Sequence, residues 1–389
     1  MKVMVAAGGR FHALHLAAQL AKRNSLEKLI TFSYTAADKQ TIPKNLVAQS
    51  KLCNFIDQSY CKLRLGRVIQ PSTFNVFKDD LFDRFIAKQL RSSKPIDLFV
   101  GWAHYVLNSI PLIKKKAGRL IIESGSCHIL EQQEILQTAY KELGLLYPPI
   151  HRANAYKMVK EYELADYIVT PSSFARSSFI KHGVQSEKII VVPCGVDTQF
   201  FRAENKRVPE KFTVIFVGLL SVRKGVHHLL EAWNMLALPE SQAQLILVGS
   251  LQKDLYQLLP NYKLASNVII HGPTDKHRLK RLYSQASVLV LPSLEDGFGM
   301  VIGEAMASGL PVITTTRCAG PDLIEPGKNG FIVEAGKSNS LAEKISWCYH
   351  NQTAAHEMGK DAQQKSLQLS WDIYGHTVYE VYKKIVGEE

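Results

Sequence analysis

The chain has 389 residues, 46% hydrophobic and 21% charged, which excludes a disordered or fibrous protein and is long for one core, so two domains of ordinary size are expected. Its net charge of +12 sits in the first third, where residues 1–120 hold 20 Lys and Arg against 7 Asp and Glu. The chain enters a strand without a charged leader, and no apolar run approaches the roughly 20 residues that span a bilayer, so a soluble cytoplasmic protein is expected.

Lys2 to Ala7 read as a buried strand, Gly8-Gly9 as a turn, and Phe11 to Arg23 as an amphipathic helix carrying Leu14, Leu16, Ala17 and Leu20 on one stripe. This is half of a Rossmann-like unit, but it lacks a full Gly-x-Gly-x-x-Gly, which argues against a dinucleotide cofactor. His12 and His15 follow on the helix, and His15 reads as a partly buried structural histidine. Residues 40–80 show no clear period. Lys62, Arg64 and Arg67, with Lys114, Lys115 and Lys116, make the densest basic pieces. Such a face suits anionic lipid headgroups or a phosphorylated acceptor, or is plain solvated charge; no nucleic-acid motif accompanies it.

Further strands are expected at Lys28 to Tyr34, Ile96 to Gly101, Arg119 to Glu123, Tyr167 to Pro171 and Lys188 to Pro193. Near-continuous apolar strands alternating with helices predict a parallel sheet covered on both faces. Ligands bind beyond the carboxyl ends of such strands, so Gly101 to His104 and Glu123 to His128 are cleft candidates. Gly195 and Asp197 supply turn chemistry after the last of these strands. Residues 198–211 are then polar and broken by Pro209, as a linker between a domain at 1–197 and one at 212–365 should be.

The second domain repeats the rhythm, with strands at Thr213 to Val217, Gln244 to Val248, Asn267 to His271 and Ser287 to Leu291. Its first turn, Gly218-Leu-Leu-Ser-Val-Arg-Lys-Gly225, places Arg223 and Lys224 between a strand end and a helix start, where they suit a diphosphate or are simply solvated. Pro292 to Thr315 reads as glycine turn, ten-residue helix and strand. Gly297 and Gly299 let the backbone approach a ligand, and the first-turn amides near Gly299, Met300 and Val301 favour an anion. Asp296 precedes that turn and Glu304 follows after seven intervening residues, spaced to accept hydrogen bonds from sugar hydroxyls; acids there also stabilise a helix dipole with no ligand at all. Trp371 to Val386 has aromatic and aliphatic residues at helical spacing. The six cysteines are dispersed without a Cys-x-x-Cys pair, and no Asp-x-Asp occurs, so neither zinc, a disulfide framework nor any other metal is signalled.

The Pro292 to Thr315 stretch resembles the signature of family 4 glycosyltransferases, retaining enzymes of the GT-B fold. Glu163 to Phe201 is similar to that family's exit from its first domain. The resemblance implies an α/β protein of two Rossmann-like domains facing across a deep cleft, with the helix in 366–389 crossing back to the first. It implies a nucleotide-sugar donor, used as a substrate with no cofactor, and a glycan or lipid-linked acceptor in polysaccharide or lipopolysaccharide synthesis.

Carried over by position, Glu304 contacts the donor ribose and Asp296, where the family has Glu, the donor sugar. Lys224, Arg223 and the turn Gly297, Phe298, Gly299, Met300, Val301 hold the diphosphate, with Arg223 standing in for an Arg that Leu219 replaces. Gly218 opens that loop, Gly8 and Gly9 face the cleft, the backbone at His271 receives the base, and His128 lies near the reacting carbon. A location on the inner face of a membrane would fit the basic first domain. A nucleotide-sugar epimerase or hydrolase of the same fold, and a non-catalytic binding protein, are the alternatives.

Overall fold

Short β-branched and aliphatic runs build two parallel sheets in the computed structural model, which describes residues 1–9, 12–63, 65–148, 150–203, 208–262 and 264–387. The first domain runs β1 (Val3–Ala6), α1 (Ala13–Lys22), β2 (Leu26–Thr31), β3 (Val47–Gln49), α2 (Lys51–Lys62), α3 (Pro71–Ser92), β4 (Ile96–Trp102), α4 (Ile110–Lys116), β5 (Ala117–Glu123), α5 (Ile129–Glu142), α6 (Arg152–Leu164), β6 (Tyr167–Thr170), α7 (Ser173–Lys181) and β7 (Ile189–Val191). A short helix, α8 (Thr198–Phe201), leads into the second: β8 (Phe212–Val217), α9 (Val226–Leu236), β9 (Ala243–Val248), α10 (Lys253–Leu258), β10 (Val268–Gly272), α11 (Lys276–Gln285), β11 (Val288–Leu291), α12 (Met300–Ala307), β12 (Val312–Thr315), α13 (Gly320–Leu323), β13 (Gly330–Val333), α14 (Ser338–His350) and α15 (Gln352–Ser366). The last helix, α16 (Trp371–Val386), returns to the first domain.

The sheets are ordered β3-β2-β1-β4-β5-β6-β7 and β10-β9-β8-β11-β12-β13, and every strand pair is parallel. Strand order reverses between β1 and β4 in one and between β8 and β11 in the other, the switch points at which open parallel sheets form ligand crevices. Both sheets are buried on two faces, which is why their strands read as continuous apolar runs. Tyr374, Val378 and Tyr382 of α16 belong to the first domain's core, and Ser370 caps that helix through the Ile373 amide.

Three expectations need correction. Residues 40–80, where no period was read, hold the edge strand β3, α2 and the start of α3. Residues 198–201, expected as linker, form α8, capped by Asp197, with Phe201 buried in the second domain's core. His15 is exposed, and its ring stacks on Trp371 at 3.6 Å. The expected helix start at Phe11 and the basic residue Arg64 lie outside the described residues, as do positions 204–207 of the expected linker.

The two domains touch away from the crossover as well. Ile135, Ala139 and Tyr140 of α5 share a buried apolar cluster with Val222, Leu258 and Leu294 of the second domain. The Tyr140 hydroxyl donates to Asp254 at 2.6 Å, and the same carboxylate oxygen accepts the Val222 amide.

Candidate functional site

Four consecutive features of the turn between β11 and α12 face the first domain or the cleft. Glu295 is fully buried. Asp296 is paired with the Lys224 ammonium. Gly297 lies against the first domain, where an added Cβ would stand 2.0 Å from the Gly125 carbonyl oxygen, and its own carbonyl accepts the Ser172 hydroxyl at 2.6 Å. Gly299 is the N-cap of α12 at φ 80°, with no side chain capping the helix. A left-handed, uncapped glycine leaves the Met300 and Val301 amides directed outward, as an anion site requires. Phe298 belongs to the core, and Met300 is 39% exposed.

The two neighbouring cations of the Gly218 loop diverge. Lys224 goes to Asp296. Arg223 instead places Nε 2.7 Å from Glu295, whose carboxylate also accepts the Ser126 hydroxyl at 2.5 Å and the Gln132 amide at 2.8 Å. Burial pushes the Glu295 carboxyl up, but the Arg223 charge and these hydrogen bonds outweigh it and hold it down at about 2. Arg223, read as a diphosphate cation, here pairs with Glu295 within the second domain, and its Nη2 reaches the first domain's Ser126 hydroxyl at 3.4 Å. Glu295 had been noted only as an acid one residue early, and its partners lie 72 to 169 residues away, beyond the reach of any local pattern. Leu219 is 51% exposed in the same loop.

Glu304 lies on the next turn of α12 and accepts the Tyr283 hydroxyl at 3.1 Å. Burial pushes its carboxyl up to about 7 against the hydrogen bond and the Lys276 charge. His271, at the end of β10, is half-buried; its Nε2 is enclosed without a partner. Gly218 ends β8 with its amide donating to Val248 at 2.9 Å.

On the first-domain side the strand ends enclose a cavity of about 750 Å3 whose wall includes Gly9, Trp102, His104, Glu123, Ser126 and Arg223. Gly8 packs beneath the Phe32 and Tyr105 rings. His12 meets Glu123 at 3.3 Å. Asp79, 1% exposed, sits 3.0 Å from His104 Nδ1 and 3.4 Å from the Asn154 amide. Trp102 Nε1 and Asn154 Oδ1 are buried without partners, polar atoms in a cavity wall that a ligand could satisfy.

His128 is not in that wall. It is the N-cap of α5, accepting the Leu130 amide, and its ring is enclosed by Tyr162, Phe179 and His182. Burial and the His182 charge hold it down at about 4, so it stays neutral. The loop residues in that wall are Ser124, Gly125 and Ser126, just before it. All six cysteines are unpaired thiols. Among the described residues Glu131, Glu134 and His182 bring potential metal ligands together, but the Lys181 ammonium sits 2.5 and 3.0 Å from the two carboxylates.

Residues 7–200 match the family model described as Glycosyltransferase Family 4, and residues 197–365 the one described as Glycosyl transferases group 1. The chain belongs to glycosyltransferase family 4. Among curated relatives of this family 4 chain, the sulfoquinovosyl transferase SQD2 of Arabidopsis thaliana is 28% identical over 224 residues, 54% of this chain and 43% of the relative. The capsular polysaccharide biosynthesis glycosyltransferase CapM of Staphylococcus aureus is 27% identical over 195 residues, 46% of this chain and 50% of the relative. The chain thus spans about half the length of these relatives. Among solved structures, Anabaena Alr3699/HepE in complex with UDP-glucose has a TM-score of 0.67 at 18% identity, covering 99% of this chain and 100% of that one. WaaG, a glycosyltransferase involved in lipopolysaccharide biosynthesis, has a TM-score of 0.68 at 17% identity over 98% and 99%. These identities speak to the fold, which is GT-B. No described helix is long and apolar enough to cross a membrane.

Proposed function

We propose that this chain is a retaining glycosyltransferase that moves a sugar from a nucleotide-sugar donor to a hydroxyl of a glycan or lipid-linked acceptor in surface polysaccharide or lipopolysaccharide synthesis. The carrying observation is the convergence of Lys224, Asp296 and the uncapped start of α12, with Glu304 one turn further along that helix. A diphosphate on the Met300 and Val301 amides draws the Lys224 ammonium from Asp296 and frees that carboxylate for donor sugar hydroxyls. Glu304 accepts the ribose hydroxyls.

The bond from the anomeric carbon to the phosphate oxygen breaks with its electron pair left on the diphosphate. The acceptor oxygen bonds to that carbon from the same face, and its proton passes to the departing phosphate oxygen. Lys224 and the α12 amides stabilise the leaving charge, so the reading needs neither a protein base nor a metal. The relative in capsular polysaccharide biosynthesis supports the pathway class, and a neighbour with bound UDP-glucose supports the donor class. The exposed Lys114 and Lys115 on a basic first domain support a location against an anionic membrane face.

The test supplies labelled UDP-, GDP- and ADP-sugars with a glycolipid extract and reads the anomeric configuration of the product by NMR. Transfer with retention is expected. Inversion would contradict the reading, and release of free or epimerised sugar without acceptor would assign a hydrolase or epimerase.

A further inference from the structure

The run Glu123 to His128, expected to face the cleft, does so from its first residue. β5 has a neighbouring strand on each side, and its end is tied to both: the Glu123 carbonyl accepts the Ala103 amide at 3.1 Å, and the Ser124 amide donates to Val169 at 2.9 Å. Glu123 therefore stands on a fixed strand end, 2% exposed, in the wall of the first-domain cavity.

For a buried acid it is poorly supplied with donors. A carboxylate can accept about four hydrogen bonds. Glu161, also buried, takes the His104, Val106 and Leu107 amides, and Glu295 takes Arg223, Ser126 and Gln132. Among the described residues Glu123 meets only His12 Nε2 at 3.3 Å and the Tyr382 hydroxyl at 3.4 Å, both longer than an ordinary hydrogen bond. The other acids of that wall have closer partners: Asp57 lies 2.5 Å from the Lys78 ammonium and Asp79 3.0 Å from His104 Nδ1. A buried carboxylate with no Lys or Arg beside it, among the described residues, leaves negative charge in the cavity wall, a cost that positive charge on a bound group would offset.

That charge lies beside the turn assigned to the donor. Two residues on from Glu123, the Gly125 carbonyl oxygen would stand 2.0 Å from a Cβ added at Gly297. Burial pushes the Cys194 thiol up, and the charges of Glu123 and Asp296 push it further, so both carboxylates act on one buried sulfur. We propose that Glu123 is a catalytic carboxylate, facing the transferred sugar and stabilising the positive charge that develops on its anomeric carbon and ring oxygen as the diphosphate departs. The assignment rests on the transferase reading. Glu123 takes no proton and forms no bond: the electron pair of the broken bond still stays on the diphosphate, and the acceptor proton still passes to the departing phosphate oxygen. A fixed anion in a site poor in water stabilises such a charge without having to reorganise. His12 and Tyr382 are positioning residues, since each meets one oxygen of the carboxylate and neither lines the cavity.

The test follows transfer from labelled UDP-, GDP- and ADP-sugars to a glycolipid extract at varied dilution, for the wild-type chain, Glu123→Gln and Tyr382→Phe. Glu123→Gln keeps the shape of the side chain and removes its charge. It is expected to lower kcat by about 100- to 1,000-fold, with donor and acceptor KM and the nucleotide's effect on melting temperature unchanged. Tyr382→Phe, which frees one carboxylate oxygen from its donor, should lower kcat by about tenfold with the same constants unchanged. Should Glu123→Gln melt below the assay temperature, Tyr382→Phe decides by the same split. A raised acceptor KM with kcat kept overturns the assignment and makes Glu123 an acceptor contact. A sugar ester on Glu123, found by mass spectrometry of the wild type, overturns it too, because the carboxylate would then form a bond. A wild-type chain that transfers sugar beside an equally active Glu123→Gln overturns the assignment alone, whereas a wild-type chain that transfers none withdraws it together with the transferase reading.

Discussion

The two halves of the cleft, proposed above as the donor and acceptor sides, are encoded in different ways. The donor half is local: one glycine turn, the first amides of α12 and two acids eight positions apart all lie within Glu295 to Glu304, with Lys224 added from a single loop. The acceptor half is dispersed, its wall assembled from side chains between Gly9 and Met158 with Arg223 at the edge. A phosphate needs backbone N–H groups and one cation, which any short turn can supply, whereas recognition of a particular acceptor needs side chains that only the tertiary fold brings together. The difference predicts that donor-side substitutions act on nucleotide affinity, acceptor-side ones on acceptor affinity, and only the groups joining the halves act on both.

Glu295 is the joining group, and its removal should have the largest effect. Glu295→Ala leaves the Arg223 guanidinium without its partner at the interface and is expected to cost about 3 to 5 kcal/mol by denaturant unfolding. Wild-type stability in that variant would break the assignment. Lys224→Ala should leave the fold intact and lower kcat/KM by about 100- to 1,000-fold, as loss of one group that stabilises the leaving charge does; retention of nucleotide affinity would move the diphosphate elsewhere.

Glu304→Gln separates stability from function. Burial holds the Glu304 carboxyl at about 7 in the folded chain, above the usual carboxylate range. The folded state therefore binds the proton more tightly than the unfolded one, so this group's contribution is fully present below the usual carboxylate pKa and is lost as pH rises to about 7. A glutamine cannot ionise, so the variant should be more stable than wild type at pH 8 by about 1 to 3 kcal/mol and no different near pH 4. It should bind nucleotide more weakly, and wild-type nucleotide binding should strengthen from acid to neutral pH with release of a proton, read by calorimetry in buffers of different ionisation enthalpy.

On the acceptor side, Trp102→Phe removes the unpartnered Nε1 and keeps a ring, so acceptor KM should rise by about 5- to 10-fold, the value of one hydrogen bond, with donor KM unchanged. The smallest effect is expected from Leu219→Arg. An exposed cation added beside the donor loop should tighten nucleotide binding by less than about 1 kcal/mol, detected as a salt-sensitive change in Kd.

The same contrast explains what could be read in advance. Both parallel sheets, apart from the half-buried edge strand β3, were legible because their central strands are buried on two faces, and the glycine turn because its chemistry is contiguous. Residues 40–80 were not, for a physical reason. In α2 only Cys53 is fully buried, and α3 buries Asp79 and Asp83 while Phe77 stays exposed, so the apolar period that marks a core-facing helix is blurred. His128 follows a strand end as a cleft histidine would, but a ring nitrogen that caps a helix leaves the same trace in sequence. The pairing of Arg223 with Glu295 had no trace, since neither residue says which of two adjacent acids takes which of two adjacent cations.

The account rests most heavily on a donor diphosphate held by Lys224 and the start of α12. The direct measurement is the melting temperature of the wild-type chain and of Lys224→Ala with UDP, GDP and ADP, each with and without EDTA. A nucleotide at 100 times its dissociation constant adds about 2.7 kcal/mol, a shift of a few degrees. The account predicts that shift for one nucleotide in the wild type, unchanged by EDTA and lost in the variant. No shift with any nucleotide, or an equal shift in the variant, would contradict it.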